Sequence, residues 1–264
     1  MGDDRSGALE LRDVGFGYPR GPRILDGVDL ALRPGQRIAL LGANGSGKTT
    51  LLRILVGLLR PTTGSVMLDG TAVDGSRAAR TRLRSRMQMV LQEPDDQIVG
   101  ATVRADVSFG PMNMGLDRAE VLERVDTAMT ALGVADLADH TPTHLSFGQR
   151  KRVAIAGAVA MRPGVLLLDE ATAGLDPRAV DDLLQTLTTL SDTGTAVVLA
   201  THDVDVAWAW SQESLVLHDA MLRRGKTHEV LTDDALLAEA RLVTPWGAAV
   251  SRRLNRLVLR PGDV

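Results

Sequence analysis

Gly42-Ala43-Asn44-Gly45-Ser46-Gly47-Lys48-Thr49 fits the pattern G-x-x-x-x-G-K-[ST] and stands between two elements that give it meaning. Arg37-Ile38-Ala39-Leu40-Leu41 before it is a short apolar strand, and residues 49–59 after it repeat leucine and isoleucine at helical spacing. A strand, a glycine-rich loop and a helix in that order make a phosphate cradle. The glycines let backbone N–H groups turn inward, and the helix N-terminus adds its dipole to the anion site. Lys48 can reach the β- and γ-phosphates of a nucleoside triphosphate, and the Thr49 hydroxyl can hold Mg²⁺. Residues Gly42, Ala43, Asn44, Gly45, Ser46, Gly47, Lys48, Thr49 and Thr50 are therefore the candidate nucleotide-binding loop.

Composition bounds the rest. A chain of 264 residues with 44% apolar content can bury a full core, as one large domain or two coupled lobes. A net charge of −3 argues against a nucleic-acid binder, which usually shows a basic face. The chain has no cysteine, which excludes disulfides and thiolate metal sites and is compatible with a reducing cytosol. No apolar run approaches the roughly 20 residues of a membrane helix. The N-terminal Met1-Gly2-Asp3-Asp4-Arg5-Ser6 lacks the apolar stretch of a signal peptide. It fits M-G-x-x-x-[ST], a myristoylation pattern short enough to be met often by chance. Any membrane role is expected to come through partners, without direct insertion.

Residues 8–33 and 63–69 read as short alternating strands, an antiparallel layer with a turn at Asp69-Gly70. Residues 37–59 and 165–200 give the strand–helix alternation of a parallel sheet, with strands over 165–168 and 196–200 and a helix over 177–190. Between them, 93–160 is mostly helical in pattern, with Val121, Leu122, Val125, Met129 and Leu132 on one face. Beyond 220 only 234–242 has the spacing of a short amphipathic helix, and the arginines of 252–260 read as a solvated face. His140, His144, His218 and His228 have no motif around them and read as surface residues.

Two further motifs narrow the class. Leu166-Leu167-Leu168-Asp169-Glu170 reads as a buried strand that delivers a carboxylate at its C-terminal end, where ligands sit in open α/β sheets. Leu145-Ser146-Phe147-Gly148-Gln149 stands just before a helix, some twenty residues earlier. With the phosphate loop, these motifs resemble ATP-binding-cassette (ABC) ATPases over roughly residues 8–240. The resemblance implies an α/β P-loop NTPase of the ABC-ATPase fold. That fold has a RecA-like parallel-sheet core, an antiparallel β layer and an inserted helical lobe at about 93–160. Residues 241–264 are left as a C-terminal extension without an assigned role.

The same resemblance distributes roles. Asp169 holds Mg²⁺, usually through water, and Glu170 polarises or positions the attacking water. Phosphoryl transfer needs mainly positioning and charge neutralisation, which such groups supply. His202, in Thr201-His202-Asp203, matches the family's switch histidine at the γ-phosphate. Gln92 matches the glutamine that touches Mg²⁺ and the attacking water. Tyr18, the only tyrosine, stands where the family stacks an aromatic ring on adenine. Ser146, Gly148 and Gln149 meet the γ-phosphate bound to the opposite protomer, so hydrolysis requires a head-to-tail pair of cassettes, of this chain or with a relative. Asp176, in Gly174-Leu175-Asp176-Pro177, couples the two sites. Phe147 replaces the family's first signature glycine, and Ala171 stands where a proline is common.

Gln92-Glu93-Pro94-Asp95-Asp96-Gln97-Ile98-Val99 looks like the corresponding stretch of energy-coupling-factor ATPases, including those of cobalt and nickel importers. Its acidic residues are placed to grip a partner's coupling helix. The sequence thus points to an ATP- and Mg²⁺-dependent ATPase subunit of an energy-coupling-factor importer, with cobalt as the favoured cargo and a vitamin or another metal as alternatives. It would work peripherally at the cytoplasmic face of the cell membrane, with a transmembrane coupling subunit and a substrate-binding membrane subunit. The alternatives are the ATPase of another ABC importer and a soluble ABC ATPase without membrane partners.

Overall fold

The computed structural model describes residues 9–259 and 261–263. The M-G-x-x-x-[ST] pattern, the first residue of the 8–33 segment and Arg260 lie outside them. In chain order the elements are β1 (Leu9–Gly17), β2 (Arg23–Leu32), β3 (Arg37–Leu41), α1 (Lys48–Leu55), β4 (Thr63–Leu68), β5 (Thr71–Ala72), α2 (Arg77–Arg86) and β6 (Met87–Val90). Then follow α3 (Val103–Asn113), α4 (Arg118–Ala131), α5 (Phe147–Ala160), β7 (Val165–Asp169), α6 (Pro177–Asp192) and β8 (Ala196–Ala200). The C-terminal part holds α7 (Val204–Trp210), β9 (Glu213–His218), β10 (Met221–Lys226), α8 (Thr227–Val230), α9 (Asp234–Glu239) and α10 (Trp246–Leu254).

The expected antiparallel layer is a four-stranded sheet in the order β2-β1-β4-β5. Leu9, Leu11, Val14 and Phe16 of β1 are all buried, and the register shift between Leu11 and Val14 keeps both halves facing inward. At Gly64 the backbone has φ +74°, and a Cβ there would lie 2.2 Å from the Asp13 carbonyl oxygen, so only glycine fits this crossing.

The second sheet runs β10-β9-β3-β8-β7-β6, parallel except for the β9–β10 hairpin at its edge. Its central strands are apolar on both faces because both are covered. Leu167 and Val198 face the antiparallel layer and α1, while Leu166, Leu168 and Leu199 face α3, α4, α5 and α6. Strand β8 lies between β3 and β7. The loops leaving these three strands therefore emerge side by side, carrying Lys48, Asp169-Glu170 and His202.

Beyond β8 the structure adds what the sequence reading lacked. Strand β10 is polar and mostly exposed, and α10 packs on α7. Leu122 is 43% exposed while its helical neighbours Val121, Val125, Met129 and Leu132 are buried, so the apolar face is narrower than expected. His140 and His144 are exposed, but two other histidines are not simple surface residues. His218 is enclosed, with both ring nitrogens buried and without a hydrogen bond (Nδ1 lies 3.9 Å from an Asp219 carboxylate oxygen), and the His228 ring lies 4.4 Å from that of Trp208. The C-terminal segment supplies hydrophobic cover for Trp208, against which the His228 ring lies.

That cover is fastened to α7. The buried Trp208 indole donates to the Val258 carbonyl (2.8 Å), and the Trp246 N–H donates to the Asp205 carboxylate (2.6 Å). A Cβ on Gly247 would come within 2.4 Å of Trp208 Nε1 and 2.7 Å of the Val258 oxygen. Gly247→Val is expected to lower stability by about 1–3 kcal/mol, the usual cost of overpacking. Thermal unfolding measures this, and hydrogen exchange should show the new mobility concentrated in 245–259; an unchanged melting temperature would refute the packing argument.

Candidate active site

The three loops enclose a cavity of about 500 Å³. Of the candidate residues, Tyr18, Asn44, Gly45, Gly47, Lys48, Thr49, Thr50, Gln92, Asp169, Glu170 and His202 line it. Ile24 and Ala173 line it too, although no motif in the sequence marks either. Gly42, Ala43 and Ser46 lie just behind, in the turn of the loop. Gly42 (φ +154°) and Gly47 (φ +106°) have left no room for a side chain: a Cβ would come within 2.5 Å of the Leu217 oxygen at the first and 2.6 Å of Ile24 at the second.

Lys48 opens α1 and turns back across the loop. Its ammonium donates to the Gly42 carbonyl at 2.8 Å and to that of Ala43 at 3.4 Å, and lies 3.8 Å from Glu170 Oε1. Burial lowers its pKa, and the carboxylates of Glu170 and Asp169 oppose that shift. The ammonium is thus held over the phosphate cradle by backbone oxygens and one buried carboxylate. The Ser46 hydroxyl is buried without a hydrogen-bond partner, packed close to Gly42.

The Thr49 hydroxyl donates to Asp169 Oδ2 at 2.7 Å, across the gap between the loop and the end of β7. Next to it Glu170 takes a left-handed conformation, φ +51°, which is strained for a residue with a side chain. Its N–H donates to the Ala200 carbonyl at 2.9 Å, tying it to the end of β8. Its Oε2 lies 3.0 Å from Nδ1 of His202, whose side chain is otherwise largely exposed. Hydroxyl, two carboxylates, histidine and ammonium therefore meet within one cleft.

Tyr18 follows β1 and is 42% exposed, with its ring edge-on to Phe16 (centroids 5.0 Å apart) and its hydroxyl 3.4 Å from that of Thr50. One ring face stays open at the cavity mouth. Ser146, Gly148, Gln149 and Asp176 do not line the cavity. Ser146 caps α5: its N–H donates to the Gln149 side chain (2.8 Å) and its hydroxyl accepts from the Gln149 N–H (3.3 Å). Asp176 caps α6 through the Ala179 N–H.

The acidic loop after Gln92 is largely exposed, as its sequence suggests, but one of its carboxylates has a counter-ion within the chain. Asp95 Oδ1 lies 2.7 Å from Arg150 Nε on α5, an ion pair without hydrogen-bond alignment, so this carboxylate is already engaged within the chain. Asp96 is exposed. Gln97 is turned inward, accepting from the Leu91 N–H at 3.0 Å.

A fold with a phosphate loop on its central parallel sheet, and a carboxylate pair and histidine at the same edge, defines an ATP-binding cassette. The ABC transporter profile matches residues 25–173. A putative ABC transporter ATP-binding protein of Streptomyces coelicolor is 53% identical over 94% of this chain and 87% of its own length. The cobalt import ATP-binding protein CbiO of Rhodobacter capsulatus is 48% identical over 96% of this chain and 90% of its own. The energy-coupling factor transporter ATP-binding protein EcfA of Methanosphaera stadtmanae is 40% identical over 94% and 90%. Among solved structures, CbiO1 of Clostridium perfringens, described as part of the transporter complex cbiONQ, superposes with a TM-score of 0.79 at 35% identity, covering 92% of this chain and 98% of that one. A dimeric cassette in a post-hydrolysis state, bound to ADP and Pi, gives 0.75 at 29%, covering 83% and 98%.

The chain belongs to the ABC transporter family. It is an ATP-binding and ATP-hydrolysing cassette whose relatives include energy-coupling-factor and cobalt-import ATPases.

Proposed function

We propose that this chain is the ATPase subunit of an energy-coupling-factor importer whose cargo is cobalt. The observation that carries the activity is the cleft itself, where Lys48, the Thr49–Asp169 pair and the Glu170–His202 pair converge. Similarity to EcfA and CbiO over nearly the whole chain supports the importer type, and the identity with CbiO supports the cargo.

In this reading ATP lies along the phosphate loop with adenine on the open face of Tyr18. Stacking of a base on an aromatic ring contributes about 1–3 kcal/mol in single-strand binding, a guide to its scale. Lys48 neutralises the β- and γ-phosphates. The Thr49 hydroxyl, the Asp169 carboxylate and the Gln92 amide form an all-oxygen donor set of the kind Mg²⁺ takes, mostly through water and substrate phosphates. When bound, Mg²⁺ supplies charge neutralisation across the phosphates. Glu170 orients the attacking water from a position fixed by β8 on one side and Lys48 on the other, and His202 holds the γ-phosphate while contacting Glu170.

The residues that stay outside the cavity define the partner. Ser146, Gly148 and Gln149 meet the phosphate bound to a second cassette, of this chain or a relative, and Asp176 couples the two sites, as the family resemblance implies. On another face, α2, α3 and α5 border a groove of about 720 Å³ lined partly by the exposed Val99 and Phe109. An amphipathic helix of a membrane subunit would cover it, next to Gln97 and hence to the loop of Gln92. No helix among the described residues is long and apolar enough to cross a membrane. In this reading, which rests on the similarity to EcfA and CbiO, the chain works peripherally, at the cytoplasmic face, through a transmembrane coupling subunit and a substrate-binding subunit. Residues 8–240 act as the cassette, 93–160 as its helical lobe, and 241–264 as an extension, of which the 246–258 part is docked on α7.

Reconstitution tests the proposal. The chain co-expressed with its membrane subunits in vesicles should drive cobalt uptake that requires ATP inside the compartment facing the cassette. Uptake of another metal or a vitamin would overturn the cargo alone. Failure to assemble with any membrane subunit, despite ATPase activity, would overturn the importer assignment.

A further inference from the structure

Lys151 is the largest side chain that the fold buries completely, at 1% exposure, although a lysine is rarely enclosed without a purpose. It stands on α5, one turn beyond Ser146 and Phe147. Its ammonium donates to two backbone carbonyls, those of Glu170 and Ala173, both at 2.8 Å. The Phe147 ring lies beneath it, 5.1 Å from centroid to nitrogen. Burial lowers the lysine's pKa, while Glu93, Glu170 and Asp169 oppose the shift.

Both acceptors belong to the short loop that carries Glu170. That residue is strained, with φ +51°. Its N–H is fastened to β8 through Ala200. Its carbonyl accepts from the Ala173 N–H at 3.1 Å and from Lys151, so the side-chain contact comes from a different element altogether. Without the ammonium, the backbone of the loop would lose both of its hydrogen bonds to α5 and keep those of its own turn and of β8. The direction of the Glu170 carboxylate depends on that backbone, because the side chain starts from it.

The same geometry gives Phe147 a use. At this position a ring fills the space under the loop: a Cβ on Gly174 would touch it at 2.9 Å. A ring face over a desolvated ammonium is attractive. The aromatic residue thus shields the lysine from water and packs against the 174 turn.

We propose that Lys151 is a positioning residue for Glu170, clamping its backbone from α5 so that the carboxylate is aimed at the attacking water, with Phe147 covering the clamp. Because Ser146 caps the same helix, seating that helix on a neighbour's nucleotide and aiming Glu170 become one movement. The inference rests on Glu170 being the water-orienting group.

The test is a cycle of Lys151→Met with Glu170→Gln, read on the full chain by steady-state and single-turnover hydrolysis. Lys151→Met alone should lower kcat about 10- to 10²-fold, the effect of a misplaced catalytic group, with the KM for ATP within about two-fold. In the Glu170→Gln background it should cost nothing further, because the group it aims is already disabled. A loss that multiplies in that background, a KM that rises with the fall in kcat, or an unchanged kcat would each overturn the proposal. Should Lys151→Met fail to fold by thermal melting, Lys151→Gln keeps a donor in the pocket and is read against the same criteria. If Glu170→Gln itself retained turnover, the proposed role of Glu170 would fail first, a result separate from any of these.

Discussion

Glu170→Gln is expected to cut ATP turnover about 10²-fold or more, the scale of losing a general base, and to leave ATP binding intact. The amide fills the same space between Lys48 and His202, so the cleft keeps its shape. It loses the negative charge that polarises a water and the oxygen that accepts its proton. A cassette that binds ATP but cannot hydrolyse it should remain closed on its partner, and sizing chromatography with ATP should then show a stable dimer. Near-normal hydrolysis by this variant would remove Glu170 from the chemistry. A variant dead in both binding and turnover would point instead to collapse of the strained loop at φ +51°.

The motif residues were legible because their chemistry leaves local traces. Glycines at 42 and 47 are demanded by the close approaches of Leu217 and Ile24, and a strand of four apolar residues before Asp169 can only present its carboxylate at an end. The two sheets were legible too, since stretches of β1, β2 and β4 alternate with period two while the interiors of β3, β7 and β8 are runs of apolar residues. Strand β10 was not, because an edge strand exposed on one side carries polar residues such as Arg223 and Arg224 that resemble a loop. The histidines at 218 and 228 misled for a different reason: the His228 ring packs on Trp208 of α7, the ring nitrogens of His218 are enclosed at the end of β9, and no periodicity near either histidine announces it. Asp95 looked free in sequence because its counter-ion, Arg150, is 55 positions away in another helix. Lys151 was visible only as one of three basic residues, Arg150-Lys151-Arg152. Spacing along a helix shows which side is apolar, but not that the ammonium on that side reaches the carbonyls of a loop 19 residues later.

Lys48→Ala should abolish tight ATP binding, a different failure from that of Glu170→Gln. The ammonium is the one side-chain cation lining the cleft among the described residues, and it faces the most highly charged part of the ligand. Its removal also leaves the Glu170 carboxylate, 9% exposed, without the positive charge 3.8 Å away. Breaking a buried pair by deleting one partner commonly costs about 3–5 kcal/mol, so the nucleotide-free variant should melt lower as well. Calorimetric titration with ATP separates the two effects, and unchanged nucleotide affinity in a folded variant would count against the assignment of the phosphate loop. The same variant probes the second cassette. Ser146→Arg would block the contact made by α5 while sparing Lys48, so neither variant is active alone. Mixed, they form dimers in which one composite site carries both defects and the other carries none, and partial hydrolysis should return. A mixed dimer, shown to form, that stayed inactive would mean that each chain completes its own site. The position of Ser146 outside the cavity would then need another explanation.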